Sequence, residues 1–259
     1  MQRKILLLLA LPLLMTACGG SSKSVSSSGA ISGNWEMSLQ KSDSTLAPKT
    51  QSGFLLQNGN IVTGGVIFTD IPCSGVGSVA GTINGTAISL VVDPTGTSVN
   101  LSGIIGAGQT SMSGDYTILS TGCGGSQTAP QQGTWTANLV APLSGNIQGS
   151  FSSNVHSTTY TMTGQVTQGA NTGVSSAPLT GTLTATGYCF TTANIVGSIS
   201  GTAVVFNLVD PDGTQIGQVA GTTTLDGTSM TGTYQVLGLG TGAAPGCVDG
   251  DSGTVTLTL

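Results

Sequence analysis

Hydrophobic residues alternate with Ser, Thr and Asn along most of the chain. Ile88, Leu90 and Val92 stand at every second position, and Val99 and Leu101 continue the pattern after a turn. Turn-forming sequences separate such runs about every 12 residues, among them Asn58-Gly59-Asn60, Asn84-Gly85 and Asp93-Pro94-Thr95-Gly96. Because side chains on a strand alternate between its two faces, this pattern predicts antiparallel strands joined by short turns.

In the first half of the chain the pattern predicts eight strands. No long stretch has the periodicity of an amphipathic helix. Eight short up-and-down strands can close into a barrel, which removes exposed sheet edges. The predicted strands span residues 33–40, 52–58, 61–69, 75–83, 86–92, 97–105, 111–119 and 133–140.

The sequence contains a tandem duplication. Residues 84–97 return as 200–214, residues 110–116 return as 228–234, and residues 31–35 correspond to 143–147. The repeated unit is about 110 residues long, which is the length of a domain rather than of a solenoid repeat. The sequence therefore predicts an all-β protein with two tandem antiparallel up-and-down β-barrels, at residues 31–141 and 142–259.

Two tryptophans support closure of the first barrel. Trp35 lies in its first predicted strand and Trp135 in its last, and the second unit has Ile147 and Val255 at these places. Both aromatic side chains are thus exchanged for aliphatic ones together. That is expected if the first and last strands are neighbours that share one volume of the core.

The sequences Gly33-Asn34-Trp35 and Gly133-Thr134-Trp135 resemble the start and finish of the small closed barrels of the lipocalin and avidin superfamily. The resemblance covers the strand plan and these tryptophans, and it implies a barrel fold. It carries over no ligand-binding residue. The unit also looks like those of Gly/Thr/Ser-rich lipoproteins of Gram-negative bacteria, and no activity follows from that likeness.

The first residues have the features of an export signal. A basic start and an apolar run that ends at Leu14 precede small residues and Cys18. This order is typical of a secretory signal peptide, and the small residues before the cysteine resemble the bacterial lipobox. The resemblance implies a diacylglycerol on the Cys18 sulfur and, with Gly19 next, sorting to the outer membrane. We expect a signal peptide at residues 1–17 and a lipidated Ser/Gly-rich tether at residues 18–30.

This segment has two other interpretations. A secreted protein cut after Ala17 without a lipid is the first alternative. A transmembrane helix is the second, but it needs about 20 apolar residues, and the run here is shorter.

With Cys18 assigned to lipid, four cysteines are left for disulfides. Four cysteines in an exported protein allow three pairings. The duplication matches Cys73 with Cys189 and Cys123 with Cys247. It selects the pairs Cys73–Cys123 and Cys189–Cys247, one within each unit, whereas a zinc site is disfavoured because the chain has a single histidine.

The charge distribution restricts the partners. All five basic residues lie at or before Lys49, and eight aspartates follow it. A body without fixed positive charge does not neutralise phosphates, which excludes nucleic acid as a specific partner. We expect a monomer that contacts the membrane through the lipid on Cys18, with an envelope or extracellular protein or a glycan as a further partner.

The sequence offers few candidate residues for catalysis or metal binding. His156 is the only histidine and Glu36 the only glutamate, so neither a Ser–His–Asp motif nor a glutamate pair for glycoside hydrolysis is recognised. Oxygen-rich turns are suited to calcium, although Asp-Pro and Asp-Gly are also ordinary turn pairs. The calcium candidates are Asp210, Asp212, Asp249 and Asp251. We predict no catalytic residue, no bound metal and no cofactor.

The predicted function is a non-enzymatic binding or structural module anchored to the outer membrane. The first alternative is a carrier of a small apolar ligand inside a barrel, where inward positions such as Gly103 and Gly114 would leave room. An enzyme such as a hydrolase is the third possibility, and it would need a cleft that joins His156 to aspartates. A transmembrane barrel is disfavoured, because aromatic residues make up only 4% of the chain and such barrels carry aromatic girdles.

Overall fold

The structure is a computed structural model that describes residues 30–43, 45, 47–69, 74–93, 98–118, 131–170 and 172–259. The described chain forms two closed antiparallel barrels of eight strands each. The strands of the first barrel are β1 (Gly33–Lys41), β2 (Lys49–Asn58), β3 (Ile61–Phe68), β4 (Gly75–Asn84), β5 (Ala87–Asp93), β6 (Val99–Ile105), β7 (Ser111–Ile118) and β8 (Gln131–Val140). A short 3-10 turn, Ala107–Gln109, joins β6 to β7.

The second barrel repeats this plan. Its strands are β9 (Gly145–Ser153), β10 (Thr159–Gln168), β11 (Ala177–Ala185), β12 (Thr192–Ser200), β13 (Ala203–Val209), β14 (Gln215–Thr223), β15 (Ser229–Val236) and β16 (Ser252–Thr258). Each strand pairs with the next one along the chain, and β16 closes the barrel against β9.

The predicted fold class is confirmed, and all eight strands predicted for the first unit form. The largest difference is at β2, which begins at Lys49 instead of residue 52. Lys49 and Thr50 carry no hydrophobic signal, yet they pair with Leu39 and Ser38 of β1. Pairing with a neighbouring strand, which the local pattern does not contain, determines where this strand begins.

The first barrel closes through β1 and β8, as the two tryptophans indicate. Leu39 lies opposite Trp135 in this pairing. Trp35 and Trp135 are fully buried, and their indole N–H groups donate to the backbone oxygens of Ile31 (2.9 Å) and Ser102 (3.1 Å). The core of the first barrel is therefore filled by two large side chains whose polar atoms are satisfied.

Paired glycines let neighbouring strands approach closely. Gly103 and Gly114 are direct partners on β6 and β7, and Gly221 and Gly232 are the corresponding partners on β14 and β15. A Cβ atom at Gly114 would collide with the carbonyl oxygen of Ser102. The expectation that Gly103 and Gly114 leave room for a ligand is therefore wrong, because backbone atoms already occupy that space.

A turn of the second barrel docks on the outer face of the first. The backbone N–H of Gly201 donates to the side-chain oxygen of Asn34 (2.6 Å), and its carbonyl oxygen accepts from the side-chain nitrogen of Asn34 (2.8 Å). The backbone N–H of Thr202 donates to the carboxylate of Glu36 (2.9 Å). We call this contact between β1 and the β12–β13 turn the seam.

Beside the seam, the first barrel has a buried phenylalanine that the second barrel lacks at the corresponding position. Phe54 lies opposite Asn34 on the outer face of β2, is 2% exposed, and packs with the apolar cluster of the second barrel. The corresponding pair in the second barrel is Asn146 and Gln165. A polar side chain thus stands in the second barrel where the first barrel has the phenylalanine.

The seam and the opposite end of the second barrel are far apart along its strands. The seam turn follows the last residue of β12, at the end where the even-numbered strands finish. At the other end β9, β11 and β15 finish and β10, β12 and β16 begin. We call that end, with the loops at residues 154–158, 186–191 and 237–251, the distal mouth.

Candidate functional site

A cavity of 270 Å³ opens at the distal mouth of the second barrel. Three chain segments line it, at residues 156–160, 187–189 and 244–247. They come from the β9–β10 turn, from the segment after β11 and from the long β15–β16 loop. Residues that are remote in sequence therefore meet there because the strands of a barrel all reach the same two ends.

A disulfide fixes one wall of this cavity. Cys189 and Cys247 form it, with Cα atoms 5.2 Å apart, which confirms the pairing predicted for the second unit. The loop is also held by backbone hydrogen bonds from Gly240 to the oxygen of Cys189 and from Ala244 to the oxygen of Tyr188, both 2.9 Å long. A loop of this length would otherwise be mobile, so these contacts give the cavity a defined shape.

The carboxylate of Asp251 is the centre of a buried hydrogen-bond network beside the cavity. Asp251 is fully buried. Its Oδ1 accepts from the hydroxyl of Ser153 (2.9 Å), and its Oδ2 accepts from the hydroxyls of Tyr188 (3.3 Å) and Tyr234 (3.2 Å). Three hydroxyl donors satisfy a carboxylate that would otherwise be costly to bury.

Aromatic rings surround the network. Phe151 packs against Tyr188 and Tyr234 with ring centroids 5.2 and 4.9 Å apart, and Tyr160 lies 4.5 Å from Tyr188. Burial raises the pKa of the Tyr188 and Tyr234 hydroxyls, and the charge of Asp251 raises both further. Both phenols therefore stay protonated and keep donating to the carboxylate at physiological pH.

The network also positions the turn that carries His156. The hydroxyl oxygen of Ser153 accepts from the backbone N–H groups of Val155 (3.2 Å) and His156 (3.0 Å) while donating to Asp251. The side chain of His156 is exposed and lines the cavity together with Tyr160 and Tyr188. The imidazole thus stands on a turn that is tied to the buried carboxylate through one hydroxyl.

Among the described residues of the first barrel, the positions that correspond to Asp251 and Tyr160 carry different side chains. By strand register, Asp251 corresponds to Gln131 and Tyr160 to Lys49. Tyr234 corresponds to Tyr116, whose buried hydroxyl has no hydrogen-bond partner among the described residues. The two units share a scaffold, and at these described positions only the second unit combines the carboxylate with its hydroxyl donors.

The calcium candidates do not come together. Asp210 accepts from the backbone N–H (2.8 Å) and the hydroxyl (2.7 Å) of Thr241, which ties down the β15–β16 loop, and Asp212 caps its own turn through Thr214. Asp251 is used by the network described above. Among the described residues no three His, Cys, Asp or Glu side chains form a group that could hold a metal ion.

Cys18, Cys73 and Cys123 lie outside the described residues, so lipidation of Cys18 and the Cys73–Cys123 disulfide stay predictions. Within the part of the chain that the structure describes, no helix is long and apolar enough to cross a membrane.

A larger groove, of 560 Å³, lies on the outer face of the second barrel. Neutral side chains such as Gln218, Thr233 and Gln235 line it. Tyr234 is its only titratable lining residue, and the hydroxyl of Tyr234 is engaged by Asp251. The distal mouth is therefore the better candidate site, although its cavity is smaller.

Sequence reasoning missed most of this site. The local sequence does not distinguish Ser153, Tyr188 or Tyr234 from other strand and turn residues, and it indicates only calcium binding for Asp251. Their partners are 17 to 98 residues away along the chain. The available signal was the duplication, because the second unit has an aspartate at Asp251 where the first unit has Gln131.

The sequence matches no protein-family model and no curated protein. Among solved structures the chain is similar to the crystal structure of kievitone hydratase from Nectria haematococca. The two are 7% identical, the match covers 88% of this chain and 89% of the other, and the TM-score is 0.24.

This finding corrects the predicted function. A non-enzymatic binding or structural module was predicted, whereas the similar structure is that of an enzyme. At this identity and TM-score, no residue role and no reaction is carried over to this chain.

The carrier alternative is corrected by the interior of the second barrel. The space enclosed by Leu143, Ile147, Phe206 and Met230 amounts to only 10 Å³. This is much smaller than a small-molecule site, which takes about 300 Å³ or more. An apolar ligand therefore does not fit into this space.

Proposed function

We propose that the distal mouth is an acid–base site, in which His156 takes a proton from a small bound molecule and returns it later in the turnover. One observation carries the proposal. The only imidazole of the chain lines a cavity beside a buried network of one carboxylate and three hydroxyls. His156 lies on a turn that the hydroxyl of Ser153 links to Asp251, a relation that the sequence alone did not reveal.

Histidine suits this role because its imidazole both accepts and donates protons near neutral pH. The proton moves from the bound molecule to a ring nitrogen of His156 and goes back to the product or to water. Protons therefore balance over one turnover, and the step needs no cofactor.

Asp251 is a positioning residue in this proposal. It does not line the cavity, and its oxygens are occupied by Ser153, Tyr188 and Tyr234. Its contribution is to fix the hydroxyl of Ser153, which holds the turn of His156. A base held in place by such contacts is more effective than a mobile one.

The proposal is tested with 5-nitrobenzisoxazole. Loss of its ring C–H proton to a base breaks the N–O bond and releases a coloured phenolate, so the probe reports proton abstraction without a co-reactant. We expect the protein to react at least about tenfold faster than free imidazole at equal concentration and pH, since a positioned base contributes at least that much.

The matched variants are His156→Gln and Asp212→Asn. His156→Gln removes the base, and we expect the rate to fall to the background level. Asp212 is exposed on the β13–β14 turn, outside the cavity, and Asp212→Asn should leave the rate unchanged. A wild-type rate no higher than that of imidazole, or a full rate in His156→Gln, overturns the proposal.

We further propose that a lipid on Cys18 anchors the mature protein to the outer membrane. The support is the basic start, apolar run and small residues that precede Cys18. Cells grown with labelled palmitate should yield labelled protein, and Cys18→Ser should abolish the label. Unlabelled wild-type protein in cells whose other lipoproteins are labelled would contradict the anchor.

A further inference from the structure

The second barrel carries charge of one sign. Its five acidic residues are Asp210, Asp212, Asp226, Asp249 and Asp251, and it has no Lys or Arg. Asp249 is exposed on the loop that supplies one wall of the cavity. A one-signed field of this kind raises the local concentration of oppositely charged molecules and repels like-charged ones.

The cavity adds an aromatic surface to this field. Tyr160 faces inward at the start of β10, is half-buried, and lines the cavity beside Tyr188. The face of an aromatic ring attracts cations through its quadrupole. An anion, in contrast, would find no basic side chain in this barrel except the imidazole of His156.

We infer that the distal mouth takes a small organic cation, namely an ammonium group joined to a ring or to another compact apolar group. This inference rests on the proposed acid–base function and names the class of its substrate. The cavity of 270 Å³ suits a molecule with a single ring, because drug-sized ligands occupy about 300 to 1,000 Å³.

Three probes of nearly the same shape test the inference: benzylammonium, benzyl alcohol and benzoate. Their binding to the wild-type chain is measured by calorimetry at pH 8 and low salt. Benzylammonium should bind about tenfold more tightly than benzyl alcohol, and benzoate more weakly than either. Added salt should weaken only the binding of the cation. Equal binding of the cation and the alcohol, or tighter binding of benzoate, overturns the inference.

Two variants of Tyr160 provide the matched control. Tyr160→Phe keeps the ring face and should keep the preference for benzylammonium. Tyr160→Leu removes the ring, and the preference should fall by at least about twofold, which is the smaller end of a cation–π contribution. A preference that persists unchanged in Tyr160→Leu shows that the ring does not bind the cation and overturns this part of the inference.

Failure of the substrate class in this binding test can be told apart from failure of the proposed acid–base function. Binding of the probes needs no turnover, and His156→Gln should still prefer benzylammonium. If benzoate binds best while the rate with 5-nitrobenzisoxazole still depends on His156, the substrate class fails and the acid–base function stands. If the cation binds best but the rate does not depend on His156, the acid–base function fails instead.

Discussion

Trp135 on β8 lies directly opposite Leu39 on β1, and in the second barrel the large ring has moved to the other strand. There Phe151 on β9 lies opposite Val255 on β16. Each closing pair thus combines one aromatic with one aliphatic side chain. The two barrels keep one ring and one aliphatic side chain in the pair rather than the identity of either residue, as expected of a core in which neighbouring side chains share space.

Exchanging the ring between the strands tests this relationship. Trp135→Val should lower the free energy of unfolding of the first barrel by about 3 kcal/mol, because a large buried side chain is lost. Adding Leu39→Phe should recover part of that loss by recreating the pair found in the second barrel. Urea unfolding followed by the fluorescence of Trp35 reports on the first barrel alone. Additive effects of the two substitutions would show that the side chains do not share a volume.

The seam predicts unequal effects for two matched glycines. Gly201 and Gly85 occupy corresponding turns, with φ of 54° and 63°. An alanine at either place costs about 1 kcal/mol, because a left-handed backbone is strained for residues with a Cβ. A Cβ at Gly201 would also collide with the carboxylate of Glu36, whereas one at Gly85 meets nothing within 4 Å.

We therefore expect Gly201→Ala to lower thermal stability clearly more than Gly85→Ala. Differential scanning calorimetry of the two variants measures the contrast. Equal losses would mean that the docking of the turn contributes nothing to stability.

The buried network predicts different costs for two substitutions of Asp251. Asp251→Ala leaves the hydroxyls of Ser153, Tyr188 and Tyr234 without their acceptor, at about 1–3 kcal/mol for each unsatisfied group. Asp251→Asn keeps an acceptor oxygen and should cost less. Near-UV circular dichroism of the tyrosines during urea unfolding measures both variants. A fully stable Asp251→Ala variant would show that the network does not hold the distal mouth.

Alkaline pH should destabilise both barrels through their buried phenols. Burial raises the pKa of Tyr116, Tyr188 and Tyr234 in the folded chain, whereas an unfolded tyrosine ionises near pH 10, about its ordinary value. Because the pKa of these hydroxyls is higher in the folded chain, the free energy of unfolding is unaffected below the unfolded value of about 10. It falls as the pH rises from there through the folded-state pKa.

The absorbance of tyrosinate should therefore appear late in a pH titration, together with unfolding. Urea-unfolded protein is the reference, in which all four tyrosines titrate normally. Ionisation of all four in folded protein near pH 10 would contradict the burial of these hydroxyls.

Most of the fold could be predicted from the alternation of hydrophobic and polar residues and from the tandem duplication. The period of two fixes which residues of β5 and β6 face the core, and the repeat gives the number of barrels and the Cys189–Cys247 pair. The site was hidden for a physical reason. Ser153, Tyr188 and Tyr234 meet Asp251 only because barrel closure brings the strand ends together, and in sequence Asp251 is part of an ordinary Asp-Gly turn.

The seam was hidden for the same reason. Asn34 and Glu36 are outward-facing residues of β1 that nothing local distinguishes from a solvated surface. Their partners, Gly201 and Thr202, are more than 160 residues away. One difference between the units indicates that this face of the first barrel is covered: Phe54 stands where the second unit has Gln165.

The central claim is that His156 meets the molecule bound at the distal mouth, and histidine-selective nuclear magnetic resonance tests it most directly. Because His156 is the only histidine, protein labelled with carbon-13 in the imidazole gives one histidine signal. We predict that this signal shifts in a saturable way when benzylammonium or benzyl alcohol is added. A signal that neither probe moves, at concentrations where calorimetry shows binding, would contradict the claim.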